Sequence, residues 1–167
     1  MGKSILIFDK LAGNIKLTVS DIRKNILHNL QKRLQDAGIP ILGDRREGLM
    51  HDKFVVIDRS EVGTGSMNFT DSGAYADDNN MIRIRSVKMA ENYTKEFEEM
   101  FVDDKFGDNV IAQTPNPRVT IDGTPIDVYF SPDDGVQASL VELVENAQES
   151  IYFMAFSFTS DEVGNAI

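Results

Sequence analysis

A short stretch at residues 50–70, MHDKFVVIDRSEVGTGSMNFT, constrains the fold of this chain more than any other part of the sequence. Its first apolar run, residues 54–57, has the composition of a buried strand and stops at a turn sequence, residues 58–60. A second apolar piece follows and ends at Gly65, where the missing side chain allows another backbone or a ligand to come close. We therefore predict a β-hairpin with polar residues at its open end.

Four polar side chains flank the two predicted strands at that end. His51 and Lys53 are two positions apart before the first strand, and Ser66 and Asn68 are two apart after the second. Residues i and i+2 of an extended chain face the same way, so we expect the imidazole and the ammonium group side by side. A nucleophile or proton carrier, a positive charge, a hydroxyl and an amide are suited to holding and attacking a phosphate without a metal ion.

The same stretch resembles the HKD motif of the phospholipase D superfamily, which includes phospholipases, bacterial endonucleases, cardiolipin hydrolases and phospholipid synthases. The six residues that match this motif at every spacing are His51, Lys53, Asp58, Gly65, Ser66 and Asn68. A match of six residues is specific enough to indicate the superfamily, although it does not single out one member.

The resemblance implies a metal-independent and cofactor-free mechanism in which two HKD motifs face each other. One histidine attacks phosphorus to form a phosphohistidine, and the other protonates the leaving oxygen and then activates water. The chain has one such motif and two histidines, His28 and His51. A helix predicted to open at Thr18 and end at Gly38 directs His28 to solvent. The second catalytic histidine is therefore expected to be His51 of another copy, in a homodimer.

The resemblance also implies roles for the other motif residues. Lys53 and Asn68 of both copies would hold the phosphoryl oxygens, and Ser66 could assist. Asp58 belongs to the motif's catalytic set, but we expect it to brace the hairpin rather than to contact the substrate.

One position departs from the pattern of single-motif relatives, several of which carry a glutamate downstream of the motif asparagine to orient the histidine. The nearest match here is Asn79, which follows Asp78. An amide can orient an imidazole ring by a hydrogen bond, but it supplies no negative charge to favour the imidazolium. We therefore count Asn79 with the substrate site and expect a weaker nucleophile.

Charge and composition narrow the range of partners. The 167 residues carry a formal net charge of −10 and no cysteine, which argues against a global attraction to polyanions and against a disulfide framework. Local basic pairs at residues 45–46 and at Arg83 and Arg85 are the exceptions. No run is long enough for a membrane span and no signal peptide is evident, so we expect a soluble, cytoplasmic protein with at most peripheral membrane contact. The expected substrate is a phosphodiester, in a lipid head group or a nucleic acid.

The periodicity of the remaining sequence predicts an α/β fold, with a mixed central sheet and helices on both faces. We predict strands at residues 4–8, 39–42 and 81–85, with the second at the sheet edge because it contains a proline. A helix at residues 90–101 carries an apolar face that we expect to pack in the core. The residues of that face are Tyr93, Phe97, Met100 and Phe101.

The chain divides into three parts on this interpretation. Residues 1–102 resemble the C-terminal part of a phospholipase D-like domain, residues 103–125 form a linker, and residues 126–167 resemble the N-terminal part of such a domain. Within the last part we predict strands at residues 128–130 and 151–158 and a helix capped by Ser160. We expect these two strands to join the sheet of the first part, as a circular permutation within one chain or by exchange between two chains.

Two functions follow from these features. The first is metal-independent phosphodiester hydrolysis by a homodimer through a phosphohistidine. The alternative is a catalytically incomplete fragment or interaction module of a tandem phospholipase D-like protein, and the oligomeric state distinguishes the two.

Overall fold

The computed structural model describes residues 9–11, 14–19, 32–43, 50–107 and 110–167. In chain order the elements are β1 (Asp9–Leu11), β2 (Asn14–Val19), α1 (residues 32–36), β3 (Ile41–Gly43), β4 (Phe54–Ile57), β5 (Glu61–Gly65), α2 (Asp71–Tyr75), β6 (Met81–Arg85), α3 (Val87–Phe101), β7 (Arg118–Ile121), β8 (Thr124–Asp127), α4 (Val136–Glu145) and α5 (Asp161–Ala166). No helix in these ranges combines the length and the apolar character that a membrane crossing requires.

Among the described residues, the main sheet contains six strands in the order β3-β2-β1-β4-β5-β6. Strand β1 pairs antiparallel with β2 and parallel with β4, whereas β4, β5 and β6 pair antiparallel in succession. The predicted mixed sheet is therefore confirmed. The predicted edge strand is also confirmed, because β3 lies at one end of the order and pairs with β2 alone among the described strands.

The predicted hairpin is formed by β4 and β5, and we call it the motif hairpin. Its register runs from the pair Phe54–Thr64 to the pair Ile57–Glu61. Asp58 and Arg59 both have φ of 51°, and the Ser60 amide donates to the Ile57 carbonyl at 3.0 Å. Two successive residues with positive φ match the right-handed twist of the strands that they join, which gives a tight hairpin turn.

Helix α3 packs against the motif hairpin and supplies much of the core. Phe54, Val56 and Val62 of the hairpin are buried in one cluster with Phe97 and other residues of α3. Of the predicted apolar face, Phe97 and Met100 are buried, and Tyr93 and Phe101 are partly buried against the same cluster. The helix starts at Val87, three residues earlier than predicted, because Ser86 caps it by accepting from the Met89 amide.

The segment that follows α3 differs from the predicted linker. Residues 110–117 have no helix or strand, but the hairpin β7–β8 begins at Arg118, inside the predicted linker. Val119 of that hairpin is buried in the same core cluster as Phe54. The domain boundaries stay a prediction, since a shared core does not decide where a folding unit ends.

The prediction of a strand at residues 128–130 is wrong. Val128 and Phe130 are buried in the core cluster, but the segment forms no strand and adds nothing to the main sheet. Its backbone is held differently, because the Phe130 amide donates to the Asp134 carboxylate at 3.0 Å and the Phe130 ring packs edge-on against Tyr93. The apolar pattern therefore reflects burial without strand pairing.

The prediction of a strand at residues 151–158 is also wrong for a single chain. The segment has no regular structure, and its side chains are exposed, with Tyr152 94% and Phe156 103% accessible. It connects α4 to α5, and the Ser160 hydroxyl lies 3.3 Å from the Gln137 side chain near the start of α4. The run therefore connects the two helices, and it joins no sheet within the chain. Exchange between two chains stays a prediction.

Several predictions lie wholly or partly outside the described residues. These concern the strand at residues 4–8, His28 with most of its helix, and the basic pair at residues 45–46. Strand β2 extends through Val19, so Thr18 lies in a strand and is not the helix cap that was predicted. The Ser160 cap is confirmed, because its hydroxyl accepts from the Val163 amide at 3.3 Å.

Candidate active site

His51 and Lys53 lie in the segment without regular secondary structure that precedes β4. His51 is exposed, whereas Lys53 is only 6% accessible. The Lys53 ammonium donates to the His51 carbonyl oxygen at 2.6 Å, so the lysine side chain turns back on its own segment. The two side chains are therefore close in the chain but do not emerge together, because this segment precedes the strand whose alternation was used to predict their direction.

Ser66 and Asn79 form one hydrogen-bonded unit beyond the end of β5. The Ser66 hydroxyl donates to the Asn79 carbonyl oxygen at 3.0 Å and accepts from the Asn80 amide at 3.0 Å. The Asn79 amide nitrogen donates to the carbonyls of Gly73 at 2.9 Å and Asp77 at 3.3 Å. Both hydrogens of the Asn79 amide group are thus engaged, so this residue fixes Ser66 and has no donor left for an imidazole.

Asn68 is half-buried and lies between β5 and the short helix α2. Its backbone carbonyl accepts from the Thr70 amide at 2.8 Å. The Thr70 hydroxyl caps α2 by accepting from the Gly73 amide at 3.0 Å. A β-carbon at Gly73 would lie only 2.2 Å from the Asn68 carbonyl oxygen. A glycine at this position therefore lets the helix pack directly against the Asn68 backbone.

Close packing also fixes the end of β5. A β-carbon at Gly65 would lie 2.2 Å from the Asn80 carbonyl oxygen, and the Ser66 amide donates to that oxygen at 3.1 Å. The motif glycine thus allows residues 65–66 to lie directly against the segment before β6.

The motif aspartate lies away from these groups. Asp58 is exposed in the turn that closes the motif hairpin, whereas Lys53 and Gly65 flank its open end. The four residues of β4 separate the two ends by roughly 13 Å. Asp58 is positioned to shape the turn, since Asp tolerates the left-handed conformation better than most residues.

Two carboxyl groups next to the site have altered acidity. Burial raises the pKa of Asp52, which lies between His51 and Lys53, and the charge of Lys53 partly offsets that effect. Burial also raises the pKa of Glu96 on α3 to about 8, with further increases from Asp52 and from Asp133, Glu99 and Asp134. The charge of Asp52 before β4 and the charges of Asp133 and Asp134 thus all act on Glu96 of α3.

Sequence reasoning missed Thr64 and Tyr93 as residues of this region. The Thr64 hydroxyl donates to the Lys53 carbonyl at 3.2 Å, and the Tyr93 ring packs edge-on against Phe54, the first residue of β4, at 4.9 Å between ring centroids. Thr64 gave one signal, since it is a polar residue directly before the motif glycine. Tyr93 gave no local signal, because it lies on the apolar face of a helix far along the chain. The described residues contain no group of three or more metal-ligating side chains.

Comparison with known proteins agrees with this arrangement. Residues 6–101, which include α3 and the whole motif hairpin, match the family described as cardiolipin synthase, PLD-like domain. The match covers more than half of the chain, and the chain belongs to this family within the phospholipase D superfamily.

Individual relatives cover smaller shares. A phospholipase D from Rickettsia felis is 40% identical over 67 residues, which are 40% of this chain and 32% of the relative. A mitochondrial cardiolipin hydrolase from Xenopus laevis is 34% identical over 68 residues, which are 41% of this chain and 32% of the relative. The chain thus spans about a third of the length of these relatives.

A solved structure shares the fold. The crystal structure of Nuc, a phospholipase D family member from Salmonella typhimurium, superposes with a TM-score of 0.50 at 18% identity. The superposition covers 58% of this chain and 74% of Nuc. The phospholipase D-like fold is thereby confirmed.

Proposed function

We propose that the chain hydrolyses phosphodiesters through a phosphohistidine intermediate, without a metal ion, when two motifs are brought together in a homodimer. The observation that carries the proposal is the position of His51, Lys53, Ser66 and Asn68 at one end of the motif hairpin. The names of its relatives, phospholipase D and cardiolipin hydrolase, support a phosphodiester in a lipid as substrate. The same motif chemistry would also act on a nucleic acid.

The reaction divides into two displacements at phosphorus. In the first, an imidazole nitrogen of His51 attacks, an N–P bond forms, and the P–O bond to the leaving group breaks. A second, protonated imidazole gives its proton to the leaving oxygen. In the second displacement that imidazole takes a proton from water, the water oxygen bonds to phosphorus, and the N–P bond breaks.

Lys53 and Asn68 are proposed to hold the phosphoryl oxygens. The Lys53 ammonium donates to the His51 carbonyl at 2.6 Å, so its positive charge is fixed next to the segment that carries the nucleophile. An ammonium group is a compact charge that attracts phosphate oxygens. Preorganised donors of this kind stabilise the charge that develops in a phosphoryl-transfer transition state.

The second imidazole is proposed to be His51 of a second copy. His51 is exposed, which is compatible with a substrate or another protomer reaching it. The two rings would titrate as a pair, one neutral for attack and one protonated for donation. The alternative is a catalytically incomplete module whose motif lacks a facing histidine. This alternative stays open because the chain spans only about a third of the length of these relatives.

A chromogenic diester, bis(p-nitrophenyl) phosphate, tests the chemistry. We expect measurable cleavage that His51→Ala and Lys53→Ala each abolish, because the first removes the nucleophile and the second an oxyanion contact. The exposed turn substitution Arg59→Ala is the control and should retain activity. EDTA should have no effect; loss of cleavage on chelation, restored by a divalent ion, would contradict the metal-free mechanism.

A further inference from the structure

Helix α2 follows directly after the motif residues Ser66 and Asn68. Among the described residues of this helix, Gly73 is the only buried one, and Tyr75 is 89% accessible. A helix of five residues is not stable by itself, and a buried glycine supplies little apolar contact. The position of α2 therefore depends on the hydrogen bonds that its two ends make.

The start of α2 is tied to Asn68 through Thr70. The Thr70 hydroxyl accepts from the Gly73 amide at 3.0 Å, and the Thr70 amide donates to the Asn68 backbone carbonyl at 2.8 Å. A β-carbon at Gly73 would lie 2.2 Å from that same carbonyl oxygen, so the first turn of the helix touches the Asn68 backbone. A displacement of this turn would therefore displace Asn68.

The segment after α2 is tied to Ser66 through Asn79. The Asn79 side-chain oxygen accepts from the Ser66 hydroxyl at 3.0 Å. The Asn79 amide nitrogen donates to the Gly73 carbonyl at 2.9 Å and to the Asp77 carbonyl at 3.3 Å. Asn79 thus bonds to the helix with one end of its amide group and to the motif serine with the other.

The two ties meet at Gly73, whose amide bonds to Thr70 and whose carbonyl bonds to Asn79. Four hydrogen bonds therefore form one continuous path between the two motif residues. Every side chain that takes part in the path is short, so little conformational freedom is lost in holding it. In order along the path, the residues are Asn68, Thr70, Gly73, Asn79 and Ser66.

We propose that Thr70 and Asn79 are positioning residues, which act through α2 to hold Asn68 and Ser66 in one arrangement around the phosphate. This inference rests on the proposed function. It assigns a role to Thr70, which lies outside the matched motif positions, and it gives Asn79 a role that needs no contact with the substrate.

Two substitutions open the path at its two ties: Thr70→Val and Asn79→Ala. We expect each to lower kcat/KM for the chromogenic diester roughly 10-fold or more, since small displacements of groups around a reacting centre have effects of this size. Thr70→Ser, which keeps the capping hydroxyl, should stay within about twofold of the unsubstituted protein. Matched controls are Thr120→Val and Asn165→Ala, which change exposed side chains of the same types and should leave cleavage unchanged.

The double variant Thr70→Val/Asn79→Ala tests whether the two residues act through one path. If both act through α2, either substitution alone frees the helix, and the double variant should lose about as much activity as the more impaired single variant. Losses that multiply in the double variant would contradict a shared path through the helix. Denaturant unfolding establishes that each variant is folded under the assay conditions.

Binding of inorganic phosphate provides a readout that does not depend on cleavage. It is followed by the NMR signals of the Asn68 side-chain amide, which Asn68→Asp assigns. We expect phosphate to shift these signals in the unsubstituted protein. Thr70→Val and Asn79→Ala should each raise the phosphate concentration for half of the shift roughly fivefold or more, because donors held in place bind better than mobile ones. Thr70→Ser and the two controls should leave this concentration unchanged.

The outcomes separate this inference from the function on which it rests. If the unsubstituted protein cleaves no diester but Thr70→Val and Asn79→Ala weaken phosphate binding, the proposed function fails and the positioning role stands. If cleavage occurs and both variants match the unsubstituted protein in kcat/KM and in phosphate binding, the positioning role is overturned. A protein that neither cleaves the diester nor responds to phosphate overturns both. Should one of the two variants fail to fold, the other decides by the same readouts.

Discussion

At the scale of single residues, small side chains and short contacts determine where the motif residues lie. Asn79 was expected to take the place of a histidine-orienting glutamate, which stays a prediction, and its carbonyl oxygen holds Ser66 by a hydrogen bond of 3.0 Å. Lys53 is buried and contacts the His51 backbone, whereas the sequence predicted that the two side chains emerge side by side. Gly73 lies against the Asn68 carbonyl with no space for a side chain. These contacts decide geometry that the motif spacing leaves open.

The Gly73 contact gives a prediction at this scale. Gly73→Ala should reduce the free energy of unfolding by about 1–3 kcal/mol, because its methyl group would overlap the Asn68 carbonyl oxygen. Diester cleavage should fall roughly 10- to 100-fold as Asn68 is displaced.

Denaturant unfolding and cleavage assays measure both effects. Gly164→Ala is the matched control, since the nearest atom to its new β-carbon is a Phe158 ring carbon at 3.8 Å, an ordinary contact. Equal unfolding midpoints for the two variants would contradict the proposed steric reason.

At the scale of elements, helix α3 links the motif hairpin to the later part of the chain. Asn92 donates to the Asn116 carbonyl at 2.8 Å and accepts from the Asn116 amide at 2.8 Å, so the helix holds the 110–117 segment by a reciprocal pair. Tyr93 contacts Phe130, and Glu96 is influenced by Asp133 and Asp134. One face of α3 thus organises both the hairpin and the 128–134 segment.

Glu96 makes this contact dependent on pH. Its folded pKa of about 8 lies above the ordinary value of 4.5, so between these values the folded protein keeps a proton that the unfolded chain releases. The contribution of Glu96 to stability should therefore be present below pH 4.5 and decline as the pH rises towards 8. Glu96→Gln should remove this decline and raise the free energy of unfolding at pH 8 by roughly 2 kcal/mol, a value reduced for solvent contact.

Denaturant unfolding at pH 5 and pH 8 tests the sign. The stabilising effect of Glu96→Gln should be larger at pH 8 than at pH 5. Glu142→Gln, which changes an exposed carboxylate on α4, should show no such difference. A Glu96→Gln variant that loses stability as the pH rises would contradict this account.

At the scale of the whole molecule, the proposed chemistry needs a second imidazole and the surface has an uncovered apolar region. Residues 151–158 are exposed throughout, and Leu140 and Leu143 of α4 are 44% and 69% accessible. Both features are compatible with assembly from more than one copy, and the mixing of active and inactive chains tests whether the active site is shared.

In that experiment the amount of unsubstituted protein is held constant while an equal amount of His51→Ala protein is added and allowed to exchange. If two His51 rings form one site, random pairing should lower cleavage to about half, because mixed dimers lack one ring. Chains added immediately before the assay, with no time for exchange, provide the control. Unchanged cleavage after complete exchange would contradict a shared site, whereas an unsubstituted protein that cleaves no diester would favour the incomplete module.

The sequence by itself determined the local features of this protein. Spacing within residues 50–70 predicted the motif hairpin, its turn and the polar residues at its open end, because hairpin pairing joins neighbours in sequence. Periodicity predicted β6 and the buried face of α3, because the faces of a strand and of a helix are set by the spacing of residues close in sequence. The family was also evident at this level, since six motif residues lie within one hairpin.

Only the tertiary structure decided the contacts between distant parts of the chain. Lys53 is buried, Tyr93 packs on Phe54, and Phe130 packs on Tyr93, and each of these features depends on residues that no local pattern connects. The apolar runs at residues 128–130 and 151–158 looked alike as strands, yet the first fills the core and the second is exposed. Apolar composition records a preference for burial, and the neighbours that the fold supplies determine whether and how that preference is met.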